Sequence, residues 1–299
     1  FPPVLFLRLH SIGYNLLMQP ILSNQPIDYL FVGHITKDVL PEGSRLGGTV
    51  TYSALMAQAL GLRVGIVTAI SEDVSLSPFS SIPVMNYPTT LTTTFENIQT
   101  STGRQQVIHE VAPTITLNQI PEYWLSASIV HLAPVAQEVE PTLVRNFPTA
   151  FIGVTPQGWL RTWNSSGKIS YSEWPEASFV LDRSGAAVIS VDDIQADEER
   201  IEELATYCPV LAVTEGKTGT RLYWNGDVRR FRPPEVDEVD STGAGDIFAA
   251  TFFIRLFTTR DPWEAARFAT MIAAQSVSRP GLDAIPSKDE IDRCLVEVL

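Results

Sequence analysis

The sequence predicts an α/β fold built on a mainly parallel sheet. Three observations carry that reading. Short, continuous apolar runs recur along the chain, segments with helical spacing lie between them, and glycines close members of both kinds. Strands buried on both faces read as unbroken apolar runs, and intervening helices cover those faces.

Taken in order, Tyr29-Leu-Phe-Val-Gly33 is a strand ending in glycine. Residues 48–60 form a helix that stops at Gly61, a good C-terminal cap. Strands follow at 64–70, 129–135, 150–154, 187–191 and 210–213, with helical patterns between them. One of those helices is 198–207, and Asp197 ahead of it is an N-cap candidate. Helices at 244–257, 262–277 and 288–298 close the chain. Two stretches break the pattern. Residues 90–112 are rich in Thr and other β-formers around a turn at Thr102-Gly103, and 221–232 fold back at Asn225-Gly226. Asn-Gly between apolar runs is a strong hairpin signal. No repeat or linker divides the chain, so it reads as one α/β domain with a β flap inserted.

The 299 residues are enough to bury a sizeable core. A net charge of −13, from 21 Lys plus Arg against 34 Asp plus Glu, argues against nucleic acid and anionic membranes as partners. No apolar run approaches the roughly 18–20 residues of a membrane span. Cys208 and Cys294 read as two reduced, buried thiols, and a cytoplasmic location is expected. Residues 1–26 are fairly apolar but are interrupted by Arg8 and His10. They read as an N-terminal extension rather than a secretory signal. The four histidines show no metal spacing. His34 and His131 read as structural, and Trp159, Trp163, Trp174, Trp224 and Trp263 as packing residues.

The chemistry concentrates in Asp240-Ser-Thr-Gly-Ala-Gly-Asp246, which runs directly into an apolar helix. Gly243, Ala244 and Gly245 carry no bulk, so their N–H groups can approach an anion at a helix N-terminus. Asp246, in the first turn, can cap the helix or remove a proton, and the two roles are compatible. Neither Gly216-Lys217 nor Gly167-Lys168 completes a Walker loop, and no third glycine completes a dinucleotide fingerprint.

These residues resemble the C-terminal signature of the PfkB/ribokinase family of ATP-dependent sugar and nucleoside kinases, with Ser241 where Thr is usual. Gly33-His-Ile-Thr-Lys-Asp38 resembles that family's first strand and substrate-binding Asp. Gly47-Gly48 resembles its glycine pair, and Thr214-Glu-Gly-Lys-Thr-Gly219 its nucleotide segment. Ser276-Val-Ser-Arg-Pro-Gly281 resembles the loop near its adenine and monovalent-cation sites. The resemblance covers about 28–286. It implies a three-layer ribokinase-like fold over 27–299, with a small β-sheet lid inserted around 36–48 and 88–113.

It further implies ATP and Mg²⁺ as cofactors, with a monovalent cation such as K⁺. Asp246 becomes the base, and the N–H groups of Gly243, Ala244 and Gly245 the anion hole. Thr214, Gly216, Lys217, Gly219, Thr242 and Ser276 fall on the nucleotide side. Ser190-Val-Asp-Asp193 stands where the family shows Asn-x-x-Glu, so Asp193, with Asp192 beside it, is the Mg²⁺ candidate.

On the substrate side the candidates are Asp38, Gly47, Gly48, Tyr52, Phe95, Asn97 and Arg104, with Thr94 and Gln106 beside them in the lid. Tyr52 stands where pentose-binding members tend to carry Asn, which speaks against ribose. The lid and Arg221-Leu-Tyr-Trp-Asn-Gly226 are similar to the inositol-kinase-like branch. Three functions follow: a kinase for a sugar or polyol, including inositols; a nucleoside kinase of the same fold; or a non-catalytic binding member. A homodimer through the lid is the oligomer the resemblance implies.

Overall fold

The computed structural model describes residues 26–100 and 103–296. Of the expected features, residues 1–25 of the extension, Thr102 of the turn and the side chain of Arg104 lie outside the described residues.

From the N-terminal side, β1 (Tyr29–Val32) leads into a hairpin of β2 (Thr36–Leu40) and β3 (Gly43–Gly47). Then come α1 (Thr49–Ala59), β4 (Val64–Thr68) and β5 (Val84–Asn86). A second hairpin, β6 (Thr94–Thr100) and β7 (Gly103–Glu110), precedes β8 (Ile129–Leu132) and β9 (Phe151–Val154). A third, short hairpin is β10 (Arg161–Trp163) and β11 (Ile169–Tyr171). Next are α2 (Ala177–Leu181), β12 (Ala186–Ser190), α3 (Glu198–Tyr207) and β13 (Val210–Thr214). The chain then runs through β14 (Thr220–Trp224), β15 (Asp227–Phe231), α4 (Ala244–Thr259), α5 (Pro262–Ser276) and α6 (Lys288–Val296).

Nine strands make the large sheet in the order β15-β14-β13-β12-β9-β8-β1-β4-β5. It is parallel from β5 to β13, and β14 and β15 add antiparallel at one edge. Alternation along its strands sorts the core. Leu30, Val32, Val130, Leu132, Ile189 and Val213 point to the side covered by α2, α3 and turns, around Trp124, Ile201 and Leu204. Tyr29, Phe31, Ile66, Val188 and Ala212 point to the side covered by α1, α4 and α5, around Phe248, Phe252 and Phe253. Each face is thus covered, which gives three layers.

Local signals set several boundaries. The Asp197 carboxylate accepts from Arg200 N–H at the start of α3. Asp261 does the same for α5 towards Trp263 and Glu264, with Pro262 at the first helical position. Not every expected helix forms. Between β8 and β9 the helical part is a 3₁₀ segment, Pro141–Asn146, and between β4 and β5 it is only Ser77–Phe79.

The second sheet has four strands in the order β3-β2-β6-β7. It combines the first two hairpins and stands over the C-terminal ends of the parallel strands. Cys208 and Cys294 are buried and form no disulfide among the described residues. His131 lies inside the large sheet, bonded to Tyr29 and Thr155, where burial pushes its pKa down to about 3. Trp159 and Trp174 stack at 5.0 Å, and Trp224 meets Trp263 edge-on at 5.4 Å. Among the described residues, no helix is long and apolar enough to cross a membrane.

Candidate active site

Parallel strands present their carboxyl ends at one rim of a sheet, and ligands of open α/β folds bind there. In this chain a cleft of about 1210 Å³ opens at that rim, between the large sheet and the small one. It collects residues from distant parts of the sequence. Asp38, Gly48, Tyr52, Phe95 and Asn97 line its small-sheet side. Asp193, Thr214, Gly216, Lys217 and Gly219 line the far side, with Thr242, Gly243, Ala244, Gly245 and Asp246 between. Three candidates sit behind the wall. Thr94 is buried and its hydroxyl donates to Thr92 O at 2.7 Å. Gly47 packs against Asp38, and a β-carbon there would lie 2.7 Å from both carboxylate oxygens. Ser276 is buried and donates to Ala273 O at 2.7 Å, while Ala273, Ala274 and Val277 face the cleft.

Asp246 occupies the first turn of α4, against the first turn of α1. Ser53 Oγ donates to Asp246 O at 2.8 Å, and the Thr49 hydroxyl donates to its carboxylate. Burial pushes the Asp246 pKa up to about 7; Thr49 and Arg161 oppose the rise, and the charges of Asp193 and Asp38 add to it. The turn ahead of it is tight. Gly243 has φ +81, and a β-carbon there would lie 2.3 Å from the Tyr52 ring. Tyr52 therefore braces the turn; its Oη is buried with no hydrogen-bond partner among the described residues, and burial pushes its pKa up. Ala244 N–H turns back to Ser241 O at 3.2 Å, which leaves Gly245 and Asp246 as first-turn N–H groups without an intrahelical partner.

Asp193 is held from two sides. Its Oδ2 accepts from Ser190 N–H at 3.0 Å, and its Oδ1 accepts from Gln157 Nε2 at 2.9 Å. Lys217 is mostly exposed and pairs with Glu238 at 3.2 Å. Among the described residues, no cluster of three or more His, Cys, Asp or Glu is placed to hold a metal ion. A Mg²⁺ ion keeps several waters and needs only one or two carboxylates beside phosphate oxygens, so Asp192 and Asp193 suit it.

Four residues of the site went unread in the sequence: Arg45, Thr49, Gln157 and Arg161. Arg45 extends from β3 to Asp240 and Thr242. Arg161, at the start of β10, stands 5.9 Å from the Phe95 ring centroid. The available signal for Arg45 was strand register, since β2 and β3 pair Asp38 with Arg45 and set both on one face. Thr49 follows the glycine pair at the start of α1 and reads only as a helix residue, while Gln157 and Arg161 are single polar residues after β9 with no motif around them.

Residues 175–289 match the family model described as pfkB family carbohydrate kinase. Inositol 3-kinase of Zea mays is 28% identical over 135 residues, covering 45% of this chain and 35% of that protein. The chain thus spans about a third of that relative's length. Cytidine kinase of Thermococcus kodakarensis is 25% identical over 293 residues, covering 85% of this chain and 98% of that protein. Among solved structures, a pyrophosphate-dependent kinase in the ribokinase family, complexed with a pyrophosphate analog and myo-inositol, matches at TM-score 0.73 and 19% identity. That match covers 88% of this chain and 99% of the other. The fold is that of the ribokinases.

Proposed function

We propose that the chain is a carbohydrate kinase of the pfkB type, whose family model matches residues 175–289, and that it transfers the γ-phosphoryl group of ATP, with Mg²⁺, to a hydroxyl of a small sugar or polyol, foremost an inositol. The observation that carries the reading is Asp246. It lines the cleft between the two sheets, at a helix N-terminus, with its pKa raised to about 7. A base poised near the working pH is what proton removal from a hydroxyl requires.

In this mechanism Asp38 accepts hydrogen bonds from acceptor hydroxyls and orients the ring over Asp246. The Asp246 carboxylate takes the proton of the attacking hydroxyl. The open N–H groups at the start of α4 face the charge that gathers on the transferred phosphoryl group. Asp192 and Asp193 would hold Mg²⁺ through water, and the bound ion would neutralise donor phosphates. Val236, Ala273, Ala274 and Val277 give the cleft an apolar stretch, which supports a donor with a base rather than pyrophosphate alone.

A second reading has its own support. The archaeal cytidine kinase aligns along nearly its whole length, and Phe95 offers the cleft an aromatic ring. Phosphate release or ADP formation across inositols, hexoses, pentoses and nucleosides, with ATP and pyrophosphate as alternative donors, separates the two. Turnover of a nucleoside with every polyol inert overturns the leading reading. Asp246→Asn should lower turnover by about 10²–10⁴-fold and leave nucleotide binding by calorimetry nearly intact. Near-normal turnover in that variant removes Asp246 from the mechanism.

A further inference from the structure

The family resemblance implies a monovalent cation beside the 276–281 loop, and the carboxylate that meets this loop does not suit one. The carboxylate that meets this loop is Asp240, and N–H donors surround it. Its Oδ1 accepts from Thr242 N–H at 2.9 Å. Its Oδ2 accepts from Arg45 Nη1 at 2.9 Å and from Gly281 N–H at 3.3 Å. A cation needs oxygen lone pairs and uncompensated negative charge, whereas this carboxylate accepts three hydrogen bonds and its charge is already met by the Arg45 guanidinium. Burial works against the charge on Asp240, yet the bonds from Thr242, Arg45 and Gly281 hold its pKa down at about 2.

Arg45 does more than neutralise Asp240. Its Nη2 donates to Thr242 Oγ1 at 2.9 Å, so the fork grips two residues of the turn that ends in Asp246. Its Nε is buried without a hydrogen-bond partner among the described residues, 3.9 Å from Asp38 Oδ2. A planar guanidinium fixes direction as well as charge. A K⁺ ion at the same place would supply charge alone.

We propose that Arg45 is a built-in cation of the transfer site, holding Asp240 and the 241–245 turn in place of a dissociable monovalent ion, so that this chain works without K⁺. Arg45 acts through the turn and is a positioning residue. The inference rests on the kinase reading for its effect on turnover, but its ion-binding content stands apart.

The test compares K⁺, Na⁺ and tetramethylammonium at constant ionic strength, reading both turnover and thermal unfolding. Wild-type kcat should change by less than about twofold among them, and Tm should not move, because exposed charges respond to ionic strength and that is fixed. Arg45→Ala should lose about 10²-fold in kcat through misplacement of the turn. It should regain part of that with K⁺ or added guanidinium, and its Tm should rise with K⁺. Arg45→Lys should retain more activity than Arg45→Ala. A wild-type kcat that collapses without K⁺ overturns the proposal, and so does an alanine variant that neither ion rescues. Absence of turnover with every acceptor and donor is a failure of the kinase reading instead. The melting curves then decide: a K⁺-dependent Tm in the wild type overturns the built-in cation, and a K⁺-dependent Tm confined to Arg45→Ala supports it. If Arg45→Ala does not fold, the wild-type and Arg45→Lys responses to K⁺ decide in the same way.

Discussion

A carboxyl group held near neutral pH is suited to proton transfer and costly to the fold, and both consequences can be tested at Asp246. Its pKa stands at about 7 against an ordinary value of 3.8. Between those values the folded chain keeps a proton that the unfolded chain has released. Stability from this group is therefore fully present below about pH 4 and is lost as pH rises through about 7. Asp246→Asn removes the buried charge, so its Tm should exceed the wild-type Tm at pH 8 by more than at pH 5. Equal shifts at both pH values would contradict the raised pKa. As the proposed base, Asp246 must be ionised to act, so kcat/KM should fall on the acid side with a midpoint near 7, and a flat profile from pH 5.5 to 8 would refute it. Asp246 was legible in the sequence because its partners in the turn are its neighbours in the chain. Arg45 and Thr49 were not, because they reach the same turn only through strand register and the packing of α1 on α4.

At the level of elements, the sequence was informative wherever a local rule decides the outcome. The parallel strands other than β5, the Asp197 cap and the hairpin at Asn225-Gly226 follow apolar runs, capping and turn chemistry. The segments at 71–83 and 134–150 do not. They pack as irregular chain with short 3₁₀ turns, because burial of residues such as Phe79, Leu143 and Phe147 needs no regular helix. The β10–β11 hairpin went unread for the opposite reason: its three-residue strands carry too little pattern. It reaches the small sheet through a Val107–Lys168 bridge and a bond from Ile108 N–H to Gly167 O at 2.8 Å. Gly167 has φ +77, and a β-carbon there would lie 2.1 Å from Ile108 O. Gly167→Ala should therefore push the hairpin off the small sheet and shift Arg161 relative to Phe95. The expected result is a rise of about tenfold or more in acceptor KM, with the nucleotide KM much less affected. Steady-state kinetics with both substrates varied tests this, and equal effects on both constants would contradict it.

Across the whole molecule, the cleft joins a sheet buried on both faces to a small sheet that forms one of its walls. Acceptor binding should slow amide exchange in β2 and β6, which carry Asp38, Phe95 and Asn97, while β1, β4 and β8 stay as protected as before. Uniform slowing of all five strands would show a global change instead. The net charge of −13 takes on a local meaning as well, since backbone N–H groups at the start of α4 sit where phosphate charge is expected. The borders of the large sheet bear on a different matter, the behaviour of many copies together. One border is β5, only three residues long; the other is β15, whose exposed positions include Asp227, Arg229 and Arg230. A stranger's strand would find little length to pair with at the first and charged side chains at the second. Mutual repulsion between acidic copies adds to that barrier, so the chain should tolerate crowding without drifting into fibrous or amorphous aggregates.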